Sequence, residues 1–195
     1  DGWVQGDLRL VEDPVTNEEI TALIQDTPQS VPITLIETHV SNKSNTIKTT
    51  QGIVAGGRMN RKVQVTKKSK FALALEGIQD PGNLGSILRS AAAFSVDTVF
   101  LSSGTADAFS PKCLRGGMGA QFRLSIREDS DLASVVDEFP GRTIGTSSLE
   151  GQNIDAINFK GSVLLLVGGE GSGLSDNLLK KADSIASIPL DNQVE

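Results

Sequence analysis

From residue 71 onward, short apolar runs alternate with segments whose apolar residues recur every three to four positions. Phe71–Leu75 predicts a buried strand. Asn83–Phe94 predicts a helix with Leu84, Ile87, Leu88, Ala91 and Ala92 on one stripe. Val96–Leu101 reads as a strand, Pro111–Arg115 as a short helix, Phe122–Ile126 as a strand and Leu132–Phe139 as a helix. Thr143–Thr146 and the wholly apolar Val163–Val167 read as strands, Asp176–Ala182 as a helix and Ile185–Ile188 as a last strand. Strands alternating with helices predict an α/β fold, a parallel sheet covered on both faces. Such sheets take ligands at their C-terminal strand ends.

The first 57 residues are more polar and less regular. Thr16 or Asn17 can cap a helix with Glu18 and Glu19 in its first turn and Ile20, Leu23 and Ile24 on one face. Val31–Ile36 and Gly52–Ala55 are strand-like, with polar Ser41–Thr50 between them. This predicts a small α/β piece with too little core to be a whole domain. Residues 58–70 hold Arg58, Arg61, Lys62, Lys67, Lys68 and Lys70 and no acid. They predict a basic linker with a domain boundary near Thr66, so that residues 71–195 form the second domain.

Composition narrows the function. The chain has 195 residues and a formal net charge of −6, so it is not a general electrostatic glove for nucleic acid. Seven Phe, one Trp and no Tyr disfavour a single-strand binder built on stacked aromatics. The single Cys113 and the single His39 exclude an internal disulfide framework and leave little for a zinc site or Ser-His-Asp chemistry. Cys113 reads as a small apolar packer. Val163–Val167 is too short to span a bilayer, and no charged-then-apolar leader is evident. The expected compartment is the cytoplasm, or an organellar matrix or stroma. The chain starts at Asp1 and stops just after a loop-like Asp191-Asn192. Both ends are expected to be internal to a longer protein.

Three constellations carry candidate chemistry. The first leaves a strand at Glu76 and enters a helix through Asp80-Pro81-Gly82-Asn83, with Ser86 and Arg89 further along its surface. Asp80 or Asn83 can cap that helix, whose free amides suit a phosphate. The plainer reading is a capped crossover helix with a solvated arginine. The second is Gly168-Gly169-Glu170-Gly171-Ser172-Gly173-Leu174, after a buried strand and before a helix. Its glycines permit close backbone approach to a ligand, or simply a tight turn. Leu174 stands where a phosphate-binding loop needs Lys, the spacing fails a dinucleotide fingerprint, and Glu170 would repel a phosphate. A loop joining glycines to an acid suits hydroxyls or a positive centre. The third is Ile188-Pro189-Leu190, where a strand ends at a proline that cannot donate into a ladder.

Taken in order, Asp80-Pro81-x-Asn83-x-Gly85-x-x-x-Arg89, Gly169-Glu170-x-x-Gly173-Leu174 and Ile188-Pro189-Leu190 resemble the SpoU (TrmH-like) RNA 2′-O-ribose methyltransferases of the SPOUT superfamily. Arg115-Gly116-Gly117-Met118-Gly119-Ala120, Gly145-Thr146-Ser147 and Gln51–Ala55 add to the match. The resemblance covers residues 71–190 well and residues 1–57 thinly. It implies a sheet whose C-terminal segment threads a loop to form a trefoil knot, and a homodimer with a shared active site. It implies S-adenosylmethionine at the knot, contacted by Gly168, Gly169, Ile188 and Leu190 with Thr146 and Leu174 nearby. It implies that residues 1–57 are the second half of a small RNA-binding domain.

The implied reaction is methylation of a ribose 2′-hydroxyl in ribosomal or transfer RNA, without a metal. Arg89 matches the central catalytic residue, Asn83 its partner and Glu170 an orienter. RNA contact falls to Arg58, Arg61, Lys62 and Arg115. The third motif of these enzymes continues into a Ser-Leu-Asn segment and a final helix, whereas this sequence stops at Glu195, so a longer protein or a shortened chain is expected. The competing classes are a non-catalytic RNA-binding relative and a nucleotide-dependent oxidoreductase. The joint presence of Asn83, Arg89 and Glu170 counts against the first, and the failed glycine spacing against the second.

Overall fold

The structure, a computed structural model, describes residues 3–10, 18–35, 53–59 and 70–189. The chain divides into two compact units, Asp1–Lys62 and Val63–Glu195.

In the first unit, strand β1 (Trp3–Leu10) runs beside β2 (Ile33–Leu35) in parallel and β3 (Ile53–Met59) in antiparallel register. Helix α1 spans Glu18–Asp26, and of its expected apolar face Ile20 is buried whereas Leu23 is 54% exposed. The sequence pattern missed β1. Gly6 breaks its alternation, and the pairing with β3 is irregular between Val4 and Gly6. The first two residues of the linker expected at 58–70, Arg58 and Met59, still stand in β3, because the strand runs on to Met59 in its pairing with β1.

The second unit is built on β4 (Phe71–Glu76), β5 (Thr98–Leu101), β6 (Ser125–Arg127), β7 (Arg142–Thr146), β8 (Gln152–Asn153), β9 (Val163–Gly168) and β10 (Ser184–Ser187). Their order across the sheet is β6-β5-β4-β9-β7-β10-β8, and every pairing is parallel. Four helices cover it: α2 (Pro81–Ala93), α3 (Pro111–Gly117), α4 (Leu132–Glu138) and α5 (Asp176–Lys181).

Side chains alternate across β4. Leu73 and Leu75 pack with Leu84, Leu88, Ala91 and Cys113 of α2 and α3. Ala72 and Ala74 face the other way, onto Leu132 and Val136 of α4 and Leu178 of α5. The expected parallel sheet covered on both faces is therefore present.

Local chemistry sets the element ends. Asp80, not Asn83, caps α2: its Oδ1 accepts from the Gly82 and Asn83 amides at 2.7 and 3.0 Å. Pro81 takes the first helical position, so the helix starts two residues earlier than its apolar stripe predicts. Gly85 lets α2 lie against α3, since a Cβ there would sit 2.5 Å from the Cys113 carbonyl oxygen. Cys113 is fully buried, and burial pushes its thiol up from the ordinary value, which leaves it inert. The strand expected at Phe122–Ile126 is shorter, because left-handed Met118 and Gly119 lead into a 3-10 turn over Ala120–Phe122. The link from β7 to β8 crosses β10. There the Ser147 amide donates to the Ala186 carbonyl at 3.0 Å, and a Cβ on Gly151 would lie 2.8 Å from the Ile185 carbonyl oxygen.

Candidate active site

The parallel strands β7, β9 and β10 end together and open a cleft of about 930 Å³. Thr146 at the end of β7, Gly168 at the end of β9, and Ala186 and Ile188 along β10 and just beyond it form its inner wall. The loop after β9, Gly169–Leu174, forms one side and the loop Ser147–Glu150 the other. Of the residues singled out in the sequence, Thr146, Gly168, Gly169, Glu170, Leu174 and Ile188 all line this one space. The Thr146 hydroxyl is turned back to the Leu166 carbonyl at 3.0 Å. Leu174 is buried in the core beneath the cleft, whereas Ile188 is 61% exposed.

The glycine loop folds on itself. The Gly173 amide donates to the Gly169 carbonyl at 2.9 Å, and Gly173 has a φ of +64°. A Cβ on Gly168 would lie 2.0 Å from the Gly173 carbonyl carbon, and one on Gly169 would lie 2.6 Å from the Gly77 carbonyl oxygen. These two glycines are therefore required by protein packing. Nothing lies within 4 Å of a Cβ on Gly171, which leaves that position free to meet a ligand. Glu76, the last residue of β4, ties the loop down: its Oε2 accepts from the Ser175 amide at 2.7 Å. Ser175 caps α5 without using its own side chain, so a carboxylate from another strand takes an amide that the helix leaves open.

Asn83 and Glu170 come together from different elements. The Asn83 amide donates to Glu170 Oε1 at 2.5 Å. That bond, then the residue's own backbone N–H, holds the Glu170 carboxyl below its ordinary value against the charge of Asp80. Asp80 is itself engaged by Lys112, whose Nζ lies 2.5 Å from Oδ2. Glu170 is thus a fixed carboxylate at the lip of the cleft. The charged residues among the described residues lining the cleft are Glu150, Glu170 and Asp176, with no Lys or Arg. A diphosphate would be repelled there, whereas a cation gains. Apolar Leu149, Ile154, Leu179 and Ala186 complete the lining. A cleft of this size, apolar with a few placed polar groups, fits a nucleoside-sized ligand.

Arg89 does not line the cleft. It lies on α2 in an exposed polar row with Asn83, Ser86 and Ser90, and it is unpaired among the described residues. Six residues of helix separate it from Asn83 by about 9 Å along the axis. Arg115 is exposed in the last turn of α3. Leu190, Arg61, Lys62 and His39 lie outside the described residues, as does the Arg58 side chain. The sequence reading did not single out Glu150, Asp176, Leu179 or the Glu76 contact. Proximity of Gly145-Thr146-Ser147 to the loop Ser148–Glu150 was the one available signal for the first of these.

The SpoU rRNA Methylase family model matches residues 70–195. The 23S rRNA (guanosine(2553)-2′-O)-methyltransferase RlmP of Bacillus subtilis is 38% identical over 130 residues, 65% of this chain and 52% of that protein. The 23S rRNA (guanosine-2′-O-)-methyltransferase RlmB of Xylella fastidiosa is 33% identical over 126 residues, 63% of this chain and 51% of its own. The chain spans about half the length of these curated relatives. Among solved structures, a TrmH-family protein of Porphyromonas gingivalis aligns with a TM-score of 0.80 at 26% identity, over 96% of this chain and 74% of its own. The fold of AviRb from Streptomyces viridochromogenes aligns with a TM-score of 0.84 at 22% identity, over 100% of this chain and 77% of its own.

Proposed function

Because this chain belongs to the SpoU rRNA Methylase family, we propose that it methylates a ribose 2′-hydroxyl in RNA, using S-adenosylmethionine bound in the cleft at the ends of β7, β9 and β10. The acid-only charge of that cleft carries the reading, because it favours a sulfonium over a nucleotide diphosphate. Titration calorimetry with S-adenosylmethionine and with NAD tests it. Binding of NAD in preference to S-adenosylmethionine would overturn it. Relatives named as 23S rRNA methyltransferases favour ribosomal RNA over transfer RNA as substrate.

S-adenosylmethionine, when bound, supplies a methyl group on a sulfonium, an already activated leaving group. Gly168, Gly169, Ile188 and Leu190 would hold the nucleoside part through backbone groups, with Thr146 and Leu174 beside it. Glu170, kept ionised and aimed by Asn83, orients the positive centre. Arg89 holds the RNA strand and orients the attacking hydroxyl through phosphate contacts. A guanidinium stays protonated, so Arg89 is not the base.

Residues 1–57 would form part of an RNA-binding domain, followed by a basic stretch over 58–70 in which Arg58 belongs to the end of β3 and Arg61 and Lys62 would lie in the linker proper. The crossing of β10 under the β7–β8 link supports a C-terminal trefoil knot, and the family supports a homodimer with a shared site. No helix among the described residues is long and apolar enough to cross a membrane. We place the activity where its RNA is, in the cytoplasm or an organelle.

Two outcomes follow from the contacts. Glu76→Ala frees the Ser175 amide and loosens the glycine loop, raising the S-adenosylmethionine Kd by about tenfold. Glu76→Gln keeps an acceptor and restores most of the affinity, and calorimetry on both variants checks it. Glu170 is the second case. Its pKa is depressed in the fold, so its charge persists as pH falls through the ordinary carboxylate range and is lost only below it. Asn83→Ala removes the main cause. The acid loss of S-adenosylmethionine binding then moves to higher pH, as a pH series of titrations would show. An unmoved midpoint contradicts the role of Asn83.

A further inference from the structure

Lys112 sits where its own helix has no use for it. It is the second residue of α3, in the first turn, where free amides and the positive end of a helix disfavour a cation. No residue of α3 is acidic. The partner comes from the cap of α2: Lys112 Nζ lies 2.5 Å from Asp80 Oδ2. Close approach of the two helices makes this reach possible. A Cβ on Gly82 would stand 3.3 Å from Lys112 Cε and 2.8 Å from Asp80 Oδ1, and a Cβ on Gly116 would stand 3.1 Å from the Gly82 carbonyl oxygen.

Asp80 divides its two oxygens. Oδ1 caps α2 through the Gly82 and Asn83 amides, and Oδ2 takes the lysine. The same Asn83 whose backbone amide Asp80 holds sends its side chain to Glu170 Oε1. Lys112, Asp80, Asn83 and Glu170 thus form one chain of contacts from α3 to the glycine loop. The lysine bond is the main reason that the Asp80 carboxyl stays below its ordinary value. The Asp80 charge in turn works against ionisation of Glu170. Glu150 and Asp176 line the same cleft, Glu76 is taken up by the Ser175 amide, and Arg89 lies further along α2. The described lining is therefore acidic, and Lys112 offsets the carboxylate that stands next to it in the chain of contacts.

We propose that Lys112 is a positioning residue for the methyl-donor site: by neutralising Asp80 it keeps Asn83 aimed and shields the Glu170 carboxylate from a second negative charge. This rests on the reading of the cleft as an S-adenosylmethionine site, and it adds a residue from α3 that lines no part of that cleft. Both members of the ion pair are partly in water, with side chains 61% and 44% exposed, so the effect is modest and sensitive to salt.

The test titrates S-adenosylmethionine into the whole chain by calorimetry, from neutral to acid pH, in low salt and in about 1 M salt. Without Lys112 the uncompensated Asp80 charge lets Glu170 take its proton at higher pH, so binding is lost earlier as the solution is acidified. Lys112→Met should weaken affinity about threefold on the acid side in low salt, and high salt should close the gap. Lys112→Arg restores the cation and should restore the unaltered pH profile. Asp80→Asn keeps a capping oxygen and removes the charge, so Lys112→Met added to it should change nothing further. Thermal melts of the same samples follow the fold. An unmoved acid midpoint in Lys112→Met overturns the proposal, and so does a further loss on adding Lys112→Met to Asp80→Asn. A loss that is equal at every pH and salt, that Lys112→Arg fails to rescue, or that comes with a collapsed Tm makes the pair a plain helix tie and overturns it too. If the unaltered chain takes up no S-adenosylmethionine at all, the functional reading itself fails, and this inference with it.

Discussion

Arg89→Ala is expected to reduce methyl transfer by about a thousandfold or more while leaving S-adenosylmethionine affinity within about threefold. The separation follows from position. Arg89 stands on the exposed row of α2, outside the cleft that gathers Thr146, Gly168, Gly169, Leu174 and Ile188. It touches neither the glycine loop nor Glu170 directly, so its loss leaves the cofactor walls intact. What disappears, on the proposed reading, is the cation that would hold the RNA strand. An activated methyl donor needs little from the protein beyond alignment, and a misplacement of an ångström is enough to stop the reaction. Arg89→Lys restores charge but not the planar fork, so it should recover only part of the rate. Single-turnover transfer from labelled S-adenosylmethionine, with calorimetry on the same preparations, reads both quantities. Loss of cofactor binding in Arg89→Ala would show that this division between RNA side and cofactor side is wrong.

Gly168→Ala is the second large effect. The added carbon meets the Gly173 carbonyl carbon at 2.0 Å and the Leu174 amide nitrogen at 2.2 Å. Both are backbone, so no side chain can swing aside. Either the loop opens or β9 shifts in its pairing with β4, where Gly168 stands opposite Glu76. Overpacking of this kind costs about 1–3 kcal/mol, and each kcal/mol lowers Tm by roughly 2–4 °C in a chain of this size. Cofactor affinity should fall more than tenfold, because the displaced segment is the cleft wall. Gly171→Ala is the control. It meets nothing within 4 Å and should leave Tm unchanged. Calorimetry and thermal melts on the pair decide the matter, and equal Tm values for Gly168→Ala and the unaltered chain would refute the packing role.

The elements that repeat a clear period were legible. Helix α2 follows from the spacing of Leu84, Leu88 and Ala91 and from Asp80-Pro81, and β4 and β9 follow from their unbroken apolar runs. Strand β1 was hidden by Gly6, and β8 is only two polar residues, held by its pairing with β10. Neither leaves a periodic trace. The order across the sheet was not legible either, because local pattern does not say that β9 lies between β4 and β7.

Among the site residues, the glycines were visible but their use was not. Only distances show that Gly168 and Gly169 face protein while Gly171 faces open space. The contact between Asn83 and Glu170 joins residues 87 apart, and that of Glu76 with Ser175 joins residues 99 apart. Nothing in the spacing of residues alone announces such contacts.

The place of β9 in the sheet bears on how the protein must be made. It pairs with both β4 and β7 and so joins the two halves of the sheet. Yet Val163–Gly168 leaves the ribosome after both neighbours have emerged. Until then β4 and β7 each hold out an apolar strand edge with unmet amides and carbonyls, the kind of edge that recruits other chains. Folding cannot proceed in step with synthesis. The nascent chain waits for its own middle, and its dependence on distant contacts makes closure slow. A polypeptide interrupted before Val163 is left with the open sheet β6-β5-β4 and with β7 and β8 lacking every strand they pair with, a substrate for chaperones and proteases rather than a smaller working domain.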